Sequence, residues 1–430
     1  MTPNSNSTSK RKETTMASQN HFLSGKTIII AGAGMAGLSF AIALRKQWDP
    51  SAEPPTVRIY ERDTREAAEG RQGYSLSLAG HDETGGLYAL KQLGLLDRIL
   101  PHAVSGLGGD TSFRIWNPDW SQVLSVRYRP AAGLPSATIR VARRNLRAVL
   151  VEEAGAGASI EWGASCASAK RLDDGRVAVG VVRGGGEAVL EECDLLICAD
   201  GSSSRLRECL RPDDKLGYLG AVQLGGCATF EKLPEQVGMN WGVTVSDGRG
   251  VALFSSPIDD RSLVWSISVL EPEQRAPLDK SSAEQKQAVL DECRRLGEVY
   301  SEPFPSFVAN TDLDSVFSMP ARDKQPFAHD SSLGPIAFIG DSNHAVSPFA
   351  GYGASLAMKD GWDLAEKICA SKALEDALGA YDAVSIPRAK KVLDMSHGRI
   401  RDMHKVGFWF YVWKAFLVVG GFMLWLTGRS

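Results

Sequence analysis

Three times in this chain an apolar run stops at a glycine-bearing loop that leads into a helical stretch. Thr27-Ile28-Ile29-Ile30-Ala31 runs into Gly32-Ala33-Gly34-Met35-Ala36-Gly37. Leu195-Leu196-Ile197-Cys198-Ala199 runs into Asp200-Gly201-Ser202-Ser203-Ser204-Arg205, and Ile336-Ala337-Phe338-Ile339 into Gly340-Asp341 and the loop that ends at Gly353. A strand apolar at every position is one buried on both faces, as in a parallel sheet. Repeated strand–loop–helix units imply a doubly wound α/β fold. In the first loop Gly32 permits the sharp turn, Gly34 lets backbone approach a pyrophosphate, and Gly37 lets the helix pack closely on the strand. The helix that follows aims free N–H groups and its positive end at the phosphates. The next strand, residues 57–61, ends in Glu61, placed to accept ribose hydroxyls. Its spacing exceeds the usual separation of about 20 residues, and the polar, proline-rich insert at 49–55 accounts for the excess.

Composition narrows the partners. At 430 residues the chain can hold two cores. A net charge of −3 with mixed signs and no basic stripe argues against nucleic acid. The seven cysteines form no CxxC pair, and no His, Asp or Glu cluster has ligand spacing, so no metal is expected and the thiols read as reduced, in a cytoplasmic compartment. Residues 1–23 are Ser/Thr/Asn-rich without an apolar h-region, and read as a disordered tail rather than a secretory signal. Residues 406–428 are almost entirely apolar, with Lys414 the one charge, and are preceded by Arg399, Arg401 and Lys405. Their length suits a bilayer span or in-plane membrane contact. Lys414 and the aromatic content suit a helix packed on the protein itself, and both readings stay open.

The order of signals divides the chain. Residues 24–100, 135–214 and 326–385 form a discontinuous Rossmann-like domain. Residues 101–134 and 215–325, with strand-like runs separated by Asp-Gly and Asp-Asp turns, form an inserted, mainly antiparallel-sheet domain suited to roofing a cavity. C-terminal helices follow, one at 386–405 and the apolar segment at 406–428. Trp241, Phe254 and Trp265 are candidates for the cavity wall, with core packing the alternative for each.

The three motifs together resemble the single-component, class A FAD-dependent monooxygenases of the para-hydroxybenzoate hydroxylase type. The segments Ser75-Leu76-Ser77-Leu78, Leu90-Lys91-Gln92-Leu93-Gly94 and Val141-Ala142-Arg143-Arg144-Asn145-Leu146-Arg147 are most similar to the tetracycline-inactivating and fungal secondary-metabolite branches. The resemblance implies an FAD site made of Gly32, Gly34, Gly37, Glu61, Arg62, Arg143, Asp200, Gly201, Gly340, Asp341, Pro348, Gly351, Gly353 and Ala354. In it Asp341 would hold the ribityl chain, Arg62 would reach the adenosine half, and residues 348–354 would line the isoalloxazine. Gln223 matches a substrate-contacting position. Two departures stand out: Ser342-Asn343 replaces the usual Ala-Ala, and Ser355 replaces a usual Asn.

The activity so implied is transfer of one atom of O2, with NADPH or NADH as reductant, to a bulky, lipophilic aromatic or polycyclic small molecule. Hydroxylation leads; epoxidation, Baeyer–Villiger-type insertion and oxidation without oxygen insertion stay open, as does a non-catalytic flavin-stabilised membrane protein. The Trp-x-Trp-x-Ile-Pro motif of flavin halogenases does not occur in the sequence. Oligomeric state is not legible.

Overall fold

A computed structural model of the chain describes residues 21–70, 74–107 and 112–426. Most of the expected tail lies outside the described residues. Residues 21–23, assigned to it by composition, are packed instead. Leu23 is buried, and His21 Nε2 lies 2.9 Å from the Ile368 carbonyl oxygen. Phe22 and Leu23 carry the apolar surface that holds this turn to the domain.

The fold is α/β. Its central sheet has five parallel strands in the order Ile336–Phe338, Leu195–Cys198, Thr27–Ala31, Thr56–Glu61 and Ser159–Trp162. The three strands that precede the glycine loops are therefore neighbours, and their carboxyl ends lie side by side. Register alone brings loops some 300 residues apart in sequence to one edge, which is where open parallel sheets bind ligands. Helix Met35–Gln47 is buried along its whole first ten residues, and packs between this sheet and helix Gly353–Ala370. The two helices touch at Gly361, where a Cβ would come within 2.6 Å of the Ala36 carbonyl oxygen and the Phe40 nitrogen. Helix Gly86–Leu93 is closed by Gly94 in the left-handed region (φ 74°).

Two small sheets flank this body. One is antiparallel, made of Ala164–Arg171, Val177–Arg183 and Ala188–Cys193. The other sets Thr138–Ala142 between Ser75–Ala79 and Ala103–Ser105. The inserted seven-stranded sheet runs Phe317–Asp323, Gly217–Thr229, Ser262–Leu270, Val251–Pro257, Trp241–Val245, Phe113–Trp116 and Gln122–Val126. It is antiparallel except between Trp241–Val245 and Phe113–Trp116. Strand alternation gives it two faces. Leu253, Leu263, Trp265 and Ile267 meet helices Ala283–Leu296 and Phe304–Ala309 in a dry core. Phe254, Val264, Ser266 and Ser268 point the other way, into a cavity. Trp265 is thus core (buried, in T-shaped contact with Phe304), whereas Trp241 and Phe254 are wall.

Helix Leu374–Met403 runs unbroken through the division placed at 385/386. It leads to helix Gly407–Leu426, which lies along Gln122–Val126 at the edge of the inserted sheet. This last helix is long and apolar enough to cross a membrane by length and composition. Phe410 is its one buried residue, while Phe408, Trp409, Phe416, Phe422 and Trp425 face outward. Lys414 does not interrupt the apolar surface: its Nζ pairs with Asp247 at 2.9 Å and sits over the Phe410 ring.

Candidate functional site

The site is a cavity of about 1850 Å³ that runs from the first glycine loop to the inner face of the seven-stranded sheet. At one end, Gly34 is the N-cap of helix Met35–Gln47; no side chain caps that end and its first turn has no acid. Gly34, Met35 and Ala36 face the cavity, so the free amides and the positive end of the helix point into it. A Cβ on Gly34 would meet nothing within 4 Å, so only the open space in front of it is at stake. Gly32 and Gly37 differ. Gly32 has φ +104° and a Cβ there would lie 2.5 Å from the Ala199 carbonyl oxygen; a Cβ on Gly37 would collide with the Gly32 carbonyl oxygen. These two shape the turn and do not face the cavity.

Glu61 closes the loop from the neighbouring strand. Its Oε2 accepts the Ala33 amide at 3.0 Å, and its Oε1 accepts the Asp63 amide at 3.0 Å. Arg147 locks both partners: one nitrogen donates to Glu61 at 2.9 Å and Nε donates to the Ala33 carbonyl oxygen at 3.0 Å. Three donors leave acceptor capacity on Glu61 for a hydroxyl. Arg147 escaped the sequence reading, although it recurs one helical turn after Arg143, which lines the cavity. Arg62 is largely solvent-exposed, with the Asp63 carboxylate at 3.9 Å.

Along the second loop Gly201, Ser202 and Ser203 line the cavity, whereas Asp200 turns inward and accepts the Leu206 amide at 3.3 Å. Burial pushes the Asp200 carboxyl up, with Ser204 and the Leu206 amide opposing. Among the described residues Arg207 pairs with no carboxylate side chain. It donates to the carbonyl oxygens of Ser202, Asp214, Asp341 and Ser342, tying the second loop to the third.

The third loop is held from behind. Asp360, fully buried, accepts the Gly340 amide at 2.9 Å and an Arg388 nitrogen at 2.8 Å. Burial alone would raise its pKa; His344 and Arg388 overrule it and hold the carboxyl down at about 2. His344 Nε2 lies 2.6 Å from Asp360, off the line of a good hydrogen bond. The ring is buried and fixes the loop. The two departures in this motif are structural as well: Ser342 Oγ donates to the Ile339 carbonyl oxygen at 2.9 Å, and Asn343 pairs both ways with the Phe327 backbone. Ser355 Oγ accepts the Ala79 amide at 3.3 Å.

What this support presents to the cavity is Asp341. Among the described residues no side chain or amide donates to its carboxylate, and burial pushes it up to about 6, with His344 and Arg207 opposing and Asp360 adding. Pro348, Gly351, Gly353 and Ala354 line the cavity beside it. Helix Gly353–Ala370 begins there with no side-chain cap and no acid in its first turn. Arg399, which the sequence sets in the basic flank of the last segment, donates to the Phe349 and Ala350 carbonyl oxygens at 3.1 and 2.6 Å and braces this turn. Two uncapped helix starts, an unpartnered carboxylate and the space before Gly34 fit a dinucleotide laid along the sheet edge.

Beyond Asp341 the wall becomes apolar: Phe113, Ile115, Leu124, Trp241, Val243 and Phe254, with Trp413 and Leu417 from the last helix. Gln223 is on this wall. So is Arg140, on the face of Thr138–Ala142 opposite to Ile139 and Val141, which belong to the core.

Comparison with known proteins agrees with this geometry. The FAD binding domain family matches residues 26–396. A monooxygenase of Aspergillus candidus, cfoF, is 42% identical over 391 residues, which is 90% of this chain and 93% of that one. Among solved structures, HpxO of Klebsiella pneumoniae, complexed with FAD and uric acid, superimposes with a TM-score of 0.71 at 21% identity, over 93% of this chain and 94% of that one. The tetracycline destructase Tet(55) does so at 0.66 and 16% identity, over 94% and 97%. The fold and site define a flavin-dependent oxygenase. The chain belongs to the FAD binding domain family and, within it, to the FAD-dependent monooxygenases.

Proposed function

We propose that this enzyme uses bound FAD, NAD(P)H and O2 to hydroxylate a bulky aromatic or polycyclic small molecule of secondary metabolism. One observation carries the reading: a single cavity joins the phosphate-ready glycine loop and Asp341 to a broad apolar wall. A site for a dinucleotide alone would not need that second half. The names of relatives point the same way, since they include a monooxygenase and urate hydroxylases, alongside zeaxanthin epoxidases.

When bound, FAD would supply the redox chemistry that NAD(P)H and O2 require, with one oxygen atom going to substrate and the other to water. The chain supplies placement. The amides at Met35 and Ala36 would hold the pyrophosphate, with Gly32 and Gly37 shaping the turn. Glu61 accepts the adenosine ribose hydroxyls, with Arg62 at the rim of that half. Asp341 accepts ribityl hydroxyls, supported by Gly340, and Arg143 donates to the cofactor across the cavity. Asp200 sets the second loop so that Gly201 faces the cofactor. The amides of Gly353 and Ala354, at a helix start beyond Pro348 and Gly351, face the ring and favour negative charge there. Gln223 hydrogen-bonds the substrate, while the aromatic wall keeps water from the reacting atoms.

We also propose that the enzyme is cytoplasmic and sets the outward apolar face of Gly407–Leu426 against a membrane surface. Truncation after residue 405 should then move it from the membrane pellet to the supernatant; an unchanged distribution removes the membrane from the proposal. For the reaction, the purified protein should be yellow and should oxidise NADPH in the presence of aromatic and polycyclic compounds. Isotopically heavy O2 should label one product oxygen. NADPH oxidation that never labels a product, across epoxidation and insertion products as well, would leave an oxidoreductase without oxygen transfer.

A further inference from the structure

Arg140 is the one Lys or Arg of the cavity wall that is fully buried, and among the described residues no carboxylate lies within ion-pair distance of it. Its neighbours are neutral. One terminal nitrogen donates to Ser77 Oγ at 2.6 Å; the other donates to the Ser75 carbonyl oxygen at 2.7 Å and to Ser75 Oγ at 2.6 Å. Phe254 lies 5.8 Å from the guanidinium carbon. A guanidinium has five N–H donors. Three are used, and Nε is buried with no partner. Burial alone pushes the group down to about 9. The other buried arginines near the cofactor end are satisfied within the chain, Arg147 by Glu61 and Arg207 by the carbonyl oxygens of Ser202, Asp214, Asp341 and Ser342. An uncompensated buried cation is expensive, and an anionic group from outside the chain that reached Arg140 would relieve that cost.

The surroundings share the sign. Nine Lys and Arg side chains line the cavity against three Asp; Arg275 and Arg388 are paired with carboxylates behind the wall, and the remaining seven still outnumber the acids, which favours anions there. Arg140 also faces the right way. Strand parity turns it from the core toward the inserted sheet, where Phe254, Val264 and Ser266 present an apolar and hydroxyl-bearing surface. We infer that Arg140 is the receptor for an anionic oxygen of the substrate, a carboxylate, phenolate or enolate carried on the ring system that the apolar wall accepts. This rests on the proposed monooxygenase function and narrows its substrate to aromatic acids and acidic phenols or enols. Holding a phenolate or enolate in its ionised form also keeps the neighbouring ring carbon electron-rich, as transfer of an electrophilic oxygen requires.

The test uses 2-naphthoate and its neutral isostere 2-naphthamide, titrated by calorimetry at neutral pH into the holoenzyme and into protein stripped of FAD. The wild type should bind the acid at least tenfold more tightly than the amide. Arg140→Met should bring that ratio near one while leaving amide affinity and FAD affinity within about threefold, and Arg140→Lys should keep part of the ratio. A wild-type ratio near one, no binding of either compound, or a ratio that survives Arg140→Met overturns the inference. So does a methionine variant that loses FAD and keeps the ratio, because the guanidinium then serves the cofactor. Should that variant not fold, crystals of the wild-type holoenzyme soaked with 2-naphthoate decide: a carboxylate within hydrogen-bond distance of Arg140 supports the inference, and one bound elsewhere in the cavity overturns it. Binding is read without turnover, so a protein that selects the acid yet never transfers oxygen would refute the proposed function and not the role of Arg140.

Discussion

The cavity has two halves built on opposite plans. The cofactor half is made of backbone: helix starts, glycine turns and carbonyl oxygens, with side chains such as Arg147, Arg207 and Asp360 working behind it. The substrate half is made of side chains standing on strands, and each residue's role depends on which way its strand is turned. A backbone site is altered by adding atoms, and a side-chain site by exchanging them. The two halves should therefore fail differently.

The sharpest contrast is between two tryptophans on one sheet. Trp265→Ala removes a fully buried ring and should cost about 3–5 kcal/mol in denaturant unfolding. Trp241→Ala, on the cavity face, should cost far less stability and act on KM for the ring substrate. Equal losses would mean that the sheet has no functional face. Next come two glycines of the first loop. Gly37→Ala drives a Cβ into the Gly32 carbonyl oxygen and should destabilise by about 1–3 kcal/mol. Gly34→Ala should leave the melting temperature near that of the wild type and weaken FAD binding at least tenfold by fluorescence titration, since its Cβ enters only the space before the loop.

A smaller effect concerns Asp341. Its raised pKa means that its contribution to apo stability is present below the ordinary value of 3.8 and lost as pH rises through about 6. Hydroxyl donors on a bound cofactor favour the ionised form, so FAD affinity should move the other way and strengthen as pH rises through 6. About a tenfold gain between pH 5 and pH 8 is expected, and Asp341→Asn should flatten it. A profile unchanged in the variant would assign the titration to another group facing Asp341, with His344 the first candidate. The smallest effect is Lys414→Ala, which removes a partly exposed ion pair with Asp247 and should change stability by less than about 1 kcal/mol.

The backbone half was legible because its constraints are written as residue types. Gly32, Gly34 and Gly37 follow an all-apolar strand, and the apolar runs before Asp200 and Asp341 mark strands that turned out to be adjacent. The supports were less legible, since Arg147, Arg207 and Arg399 act on carbonyl oxygens that any residue could supply. In the substrate half, Trp241, Phe254 and Trp265 have the same character in sequence, and only register separates wall from core. Arg140 did carry a signal. In Thr-Ile-Arg-Val-Ala the alternation sets it opposite two core residues, yet nothing local says that the other face is closed over by a second sheet. The last helix was ambiguous for a similar reason: its composition suits a membrane, while Trp413 and Leu417 reach the cavity.

The strand order of the central sheet has a consequence for biosynthesis. Ile336–Phe338 is an edge strand that joins Leu195–Cys198 from outside, so the segment bearing Asp341 is a late arrival at a sheet whose other four strands were translated long before. At about 5–20 residues per second, some 15–60 s separate emergence of the Gly32 turn from that of Asp341. If Asp341 grips the far end of the cofactor as proposed, the nascent polypeptide displays during that interval a glycine turn without its distal partner. Flavin loading should then wait until the segment bearing Asp341 has left the ribosome, and a chain terminated before it should not retain the pigment.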